Sequence, residues 1–162
     1  MILTSPLRCL ILACGNTLRE DDGVGPFLAQ WAVERWHEDA RVRVICDHQW
    51  TPEMVEEVAS AESVVFVDCA TNCEAGLVRT MIVQPAADMT KLGTHHLDAA
   101  QLLALGKQLY GRMPRTSLLL TVGAGSLELR EGFSEAVEAA LPVAQQMLED
   151  SVQRILGLDQ RA

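Results

Sequence analysis

The sequence is short of positive charge. Its 162 residues carry 13 lysines and arginines against 22 acids, a formal net charge of -9. That balance leaves no basic surface with which to displace counterions from a nucleic acid, and it disfavours an anionic membrane. No apolar run approaches the roughly 20 residues of a membrane-spanning helix. The segment from Met1 to Leu7 has neither the basic start nor the long apolar stretch of a secretory signal, so a cytoplasmic protein is expected. Histidine-rich tracts of the kind that store or deliver metal are absent. Cysteines are few and odd in number: Cys9, Cys14, Cys46, Cys69 and Cys73. Only Cys69 and Cys73 are closely spaced, and no second pair completes a zinc-ribbon pattern. Reduced, mostly buried thiols are therefore expected, without disulfides or structural zinc. Internal repeats, low-complexity tracts and Pro- or Ser-rich linkers are also lacking. With 49% apolar residues the chain has enough to fill one core, and residues 1–162 read as a single domain.

What is present is a regular alternation. Apolar, β-branched runs at 8–14, 42–46, 63–67, 77–83 and 117–122 predict buried strands. Helical patterns occupy 26–36, 52–61, 97–110 and 134–156. Pro26 and Pro52 suit first-turn positions, where proline has no bond to lose, and Thr51 is placed to cap the second helix. Pro142 predicts a kink or break near Leu141. The order β-α-β-α-β-β-α-β-α, with strands apolar on both faces, predicts a three-layer α/β/α sandwich around a mostly parallel five-stranded sheet. The loop 68–76 is too short for a helical crossover, so 77–83 is the expected antiparallel member.

The most informative stretch is Gly15-Asn16-Thr17-Leu18-Arg19-Glu20-Asp21-Asp22-Gly23-Val24-Gly25. It joins the first strand to the first helix, at the carboxyl end of the sheet where α/β proteins bind ligands. Three adjacent acids there repel one another unless they are solvated or hold a cation. The other reading is structural, since acids in a first turn cap free amides and favour the helix dipole. Gly23 and Gly25 imply close backbone approach or unusual dihedrals. A nucleotide-binding module is the main rival on fold grounds. The loop is not Gly-x-Gly-x-x-Gly, however, and Glu20 stands where a phosphate would approach.

Asp68 closes the run Val64-Val65-Phe66-Val67, either as a site carboxylate or as an aspartate turn. His95 and His96 precede the third helix, and one of them is expected to face inward. Two carboxylates and an imidazole from three strand–helix junctions make a mixed oxygen and nitrogen donor set, suited to a divalent transition metal with positions left for water or substrate. No serine nucleophile is visible, because Gly125-Ser126-Leu127 lacks an elbow motif. Cys14 and Cys69 border the candidate site.

The stretch from Leu12 to Gly25 resembles the N-terminal signature of the [NiFe]-hydrogenase maturation endopeptidases. Phe66-Val67-Asp68-Cys69-Ala70 is similar to that family's apolar strand ending in Asp-Ala. Thr94-His95-His96-Leu97 with Leu102-Leu103-Ala104-Leu105 resembles its histidine segment. Val122-Gly123, Glu128, and Gly132-Phe133-Ser134 with Val137 resemble its C-terminal pattern. The resemblance implies a metal-dependent endopeptidase that removes the C-terminal extension of a hydrogenase large-subunit precursor after nickel insertion. It also implies a three-layer α/β sandwich. The family's catalytic, metal-contacting residues fall on Asp22, Asp68 and His95, and the nickel is supplied by the precursor. Gly15, Asn16, His48, Gln49 and Trp50 are the expected substrate contacts. Where many members carry Asp-Gly-Gly-Thr, this chain has Asp47-His48-Gln49-Trp50-Thr51-Pro52-Glu53. This is closer to the branch acting on bidirectional, NAD-linked hydrogenases. Trp50 has a second reading, simple packing against the following helix. A monomer is expected, and a nickel-binding adaptor without hydrolytic activity is the alternative within the same pathway.

Overall fold

The computed structural model describes residues 7–90 and 97–157. Five strands, β1 (Cys9–Cys14), β2 (Val42–Asp47), β3 (Ser63–Ala70), β4 (Val78–Ile82) and β5 (Thr116–Gly123), form one sheet in the order β2-β1-β3-β5-β4. Neighbours are parallel except β4, which runs antiparallel to β5. The helices are α1 (Val24–Arg35), α2 (Val55–Ser60), α3 (Ala99–Tyr110) and α4 (Glu135–Gly157). The expected three-layer sandwich and its single antiparallel strand are both present.

Alternation along the strands builds two cores. Cys9, Ile11 and Ala13 of β1 and Val65 and Val67 of β3 point to one face, where they pack on Leu28 of α1 and Val137, Ala144 and Leu148 of α4. Leu10, Leu12 and Cys14 of β1 and Val64 and Phe66 of β3 point to the other, against Val55 and Val58 of α2 and Leu102 and Leu103 of α3. β1 and β3 are buried from both sides, which is why their sequences read as unbroken apolar runs.

The strand order reverses between β1 and β3. The chain leaves β1 toward β2 at one edge and returns to β3 on the other side. Such a switch point opens a crevice at the carboxyl ends of the two strands. Asp22 follows β1, and Asp68 lies near the end of β3.

Several local expectations are corrected. α4 runs through Pro142 without a break. The ring is on the exposed side, while buried Val137, Ala140, Ala144 and Leu148 hold the helix down. α1 begins at Val24, two residues ahead of Pro26, after a 3-10 turn over Glu20–Gly23. Thr51 makes no side-chain cap. Cap chemistry is instead found at Asp98, whose side chain accepts from Gln101 N while the Gln101 side chain accepts from Asp98 N. β3 extends to Ala70, so Asp68 is a strand residue and the loop begins after it. Cys46 is exposed rather than buried, and all five thiols are free.

Candidate active site

The turn after β1 is built by close backbone approach. Gly15 has φ of 152°, and a Cβ there would lie 2.0 Å from the carbonyl oxygen of Asp22. A Cβ on Gly25 would lie 2.0 Å from the carbonyl oxygen of Cys14. The two glycines let the loop fold flat onto its own strand. Gly23 is less constrained, with φ of -71° and 3.3 Å to the nearest atom.

The three adjacent acids divide their work. Asp21 is fully buried. Its Oδ2 accepts from the N–H groups of Gly125 (2.7 Å) and Ser126 (2.9 Å) and from the Ser134 hydroxyl (2.7 Å), and its Oδ1 accepts from Ser134 N–H (2.7 Å). Burial pushes this carboxyl up, but the bonds from Ser134, Ser126 and Gly125 outweigh it and hold the group below its ordinary range. Glu20 is also buried, at a positive φ of 43°, and pairs with the Arg130 guanidinium, which holds its carboxyl low. Both residues fasten the turn to the segment 125–134. A parallel bridge between Arg19 and Arg130 runs alongside.

Asp22 alone of the three faces the crevice. Its Oδ2 accepts the N–H of Asn16 at 2.8 Å. Asp68 lies across from it, with Oδ1 accepting the N–H of Cys69 at 2.7 Å. Each carboxylate thus has one oxygen anchored by a backbone amide, and the other accepts from no backbone group among the described residues. The Asp68 carboxyl is raised to about 6. Burial is the main cause, the Cys69 amide and the Cys14 thiol pull against it, and the charge of Asp22 adds to the rise.

Cys14, Gly15, Arg19, Asp22, His48, Gln49, Trp50, Asp68, Leu97 and Asp98 line one cleft of about 310 Å³. The structure thus brings together Asp22, Asp68, Gly15, His48, Gln49 and Trp50. Asn16 supports Asp22 from behind through its amide. His95 and His96 lie outside the described residues, and Leu97 is the first described residue after them. Among the described residues no three His, Cys, Asp or Glu side chains gather as a metal-ligating group. Asp22 and Asp68, two of the three expected donors, line the same cleft. Trp50 packs in the second core and lines the cleft at once. It is buried against Phe66, ring centroids 5.2 Å apart, and it also forms a wall of the cleft. Among the described residues its indole Nε1 has no hydrogen-bond partner.

Two residues of this site escaped the sequence reading. Arg19 brings a cation to an otherwise acidic cleft, and nothing in its spacing marked it. Asp21 is the anchor of the whole turn. Its signal was Ser134, which was read only as part of a distant pattern.

A larger cavity of about 580 Å³ sits near the amino ends of the strands. Its arginines are already engaged, Arg35 with Glu149 and Arg41 with Asp39. It holds none of the candidate residues.

Solved structures decide the fold. The chain is similar to the hydrogenase maturating endopeptidase HybD from E. coli, with 22% identity and a TM-score of 0.74 over 91% of this chain and 93% of that one. It is similar to a [NiFe] hydrogenase maturation protease HycI from Thermococcus kodakarensis KOD1, with 25% identity and a TM-score of 0.64 over 96% of each chain. A hydrogenase 2 maturation peptidase from a Thaumarchaeota archaeon gives 24% identity and a TM-score of 0.65 over 90% of this chain and 97% of that one.

The fold is that of the [NiFe]-hydrogenase maturation proteases.

No family model matches the chain, and no curated protein does. The maturation-protease fold spans nearly the whole of this chain, so the resemblance drawn from the Leu12–Gly25 motif extends to the architecture. No helix among the described residues is long and apolar enough to cross a membrane.

Proposed function

We propose that the protein is an endopeptidase that removes the C-terminal extension of a [NiFe]-hydrogenase large-subunit precursor once nickel has been inserted. One observation carries the reading. Asp22 and Asp68 come from different strand ends and line one cleft at the sheet's switch point, each with one oxygen held by a backbone amide. Two carboxylates in one cleft attract a cation, and the fold shared with [NiFe] hydrogenase maturation proteases supports nickel as that cation.

In this reading Asp22, Asp68 and His95 form an incomplete site. Nickel held by the precursor's cysteine thiolates completes it and tethers the extension in the cleft. Water then attacks the scissile carbonyl, and one carboxylate of the pair takes its proton. The peptide bond breaks to a new C-terminal carboxylate and a free amine. An enzyme with a permanently filled metal site would not sense whether the client is loaded, whereas this one is assembled by its substrate. Affinity for free nickel is accordingly modest.

The exposed loop residues His48 and Gln49, with Trp50 behind them, contribute to choice of client. The client favoured is the large subunit of a bidirectional, NAD-linked hydrogenase, and the protease acts on it in the cytoplasm as a monomer.

The test is processing of a nickel-loaded precursor by purified protein, read as loss of the extension by mass spectrometry. Asp22→Asn, Asp68→Asn and His95→Ala are each expected to abolish it. Full activity in any one removes that residue from the site. Tight stoichiometric nickel binding with no processing would instead identify a nickel-binding adaptor.

A further inference from the structure

Cys14 is a cleft-lining residue whose chemistry the proposed reaction leaves unused. It ends β1 as Asp68 approaches the end of β3. The parallel register pairs Ala13 with Val67, so the next step along both strands sets Cys14 beside Asp68. Both side chains leave the same face of the sheet. Cys14 packs with Leu12 and Phe66, and Asp68 is two residues beyond Phe66. Both residues line the cleft, yet Cys14 is only 7% exposed. A thiol is a weak hydrogen-bond donor that at neutral pH keeps its proton unless a cation or helix terminus removes it. Here its neighbours are carboxylates, Asp68 first and then Asp22. The Oδ1 of Asp68 is already taken by the Cys69 amide.

We infer that Cys14 is a positioning residue: its Sγ–H donates to the Asp68 carboxylate and, with the Cys69 amide on the opposite side, fixes the direction in which that carboxylate faces Asp22. The inference deepens the proposed protease reading and rests on it for its effect on processing, but the contact itself is a property of the protein alone. It gives Cys14 neither a nucleophilic nor a ligand role. Two anchors set the rotation of the carboxylate. Removing one lets it turn away from the shared space, as happens when a supporting partner of a metal-binding side chain is lost, at a typical cost of about 10-fold in activity.

The S–H stretching band in the infrared tests the contact directly, with the Cys14 band isolated as a difference between wild type and Cys14→Ser. A band lowered and broadened by a carboxylate acceptor is expected, and Asp68→Ala is expected to return it to the position of a free thiol. The Asp68 substitution alters no residue of either core. Processing of nickel-loaded precursor by Cys14→Ala is expected to fall about 10-fold, in kcat rather than KM, with Cys14→Ser recovering most of it because the hydroxyl keeps a donor. A Cys14 band that Asp68→Ala does not move overturns the inference, as does wild-type kcat in Cys14→Ala. If wild type itself processes no nickel-loaded precursor while the band still responds to Asp68, the contact stands and the protease reading fails.

Discussion

The backbone N–H of Asn16 donates to Oδ2 of Asp22 at 2.8 Å. This one bond links the first turn after β1 to the acid that ends the same loop. It holds Asp22 in the cleft that Asp68 also lines. Lengthening the side chain moves the carboxylate out of register with this amide. Asp22→Glu is therefore expected to keep the fold and some activity, whereas Asp22→Ala abolishes processing with little change in Tm. Calorimetry beside the processing assay separates the two effects, and a large drop in Tm for Asp22→Ala would mean that this acid is structural.

Asp21 is predicted to behave in the opposite way. It receives four hydrogen bonds from the segment 125–134 and is fully buried. Asp21→Ala leaves three amides and a hydroxyl without their acceptor, at a cost of about 3 kcal/mol or more. Because its carboxyl is held below the ordinary range, its stabilisation is complete above the unfolded value and is lost as pH falls through the folded one. Urea unfolding at neutral pH and near pH 3 checks this. Asp21→Asn is expected to lower stability at neutral pH and to reduce the loss on acidification.

Gly25→Ala tests the close approach itself. A Cβ 2.0 Å from the Cys14 carbonyl oxygen cannot be relieved by a side-chain rotation, because the obstruction is backbone. A loss of about 3 kcal/mol is expected. Gly132→Ala has open space around the new Cβ but a φ of 98°, so it is expected to cost less. Equal effects at the two sites would show that the turn after β1 is not tightly packed.

The strands, the helices, the antiparallel β4 and the switch point followed from runs of one or another period and from the length of the 68–76 loop. Asp22 and Asp68 were legible because strand ends converge in a parallel sheet, and the 48–50 loop was legible only through the family resemblance. The division of labour among Glu20, Asp21 and Asp22 was not legible. It depends on which way a 3-10 turn rotates each side chain, and that is set by a segment more than a hundred positions later. Pro142 misled because a rule about helix interiors ignores which side of the helix meets water.

Asp68 sets the pH dependence. Its carboxyl is raised from 3.8 to about 6, so the folded state holds a proton that the unfolded chain has already released. Stability is therefore lost as pH rises from about 4 to about 6, and the penalty is constant above that. Processing follows the opposite trend, since only the ionised form binds a cation: kcat/KM is expected to fall as pH drops through about 6. Asp68→Asn should unfold with a smaller stability loss over that interval while processing nothing. An unaltered pH dependence of stability in Asp68→Asn would place the shift elsewhere.

The central claim is that the client's own nickel completes the site formed by Asp22, Asp68 and His95. The direct measurement is the cleavage rate of one large-subunit precursor prepared with and without nickel, at equal protease concentration. The account predicts rapid removal of the extension from the loaded precursor and none from the nickel-free one. Equal rates on both would contradict it.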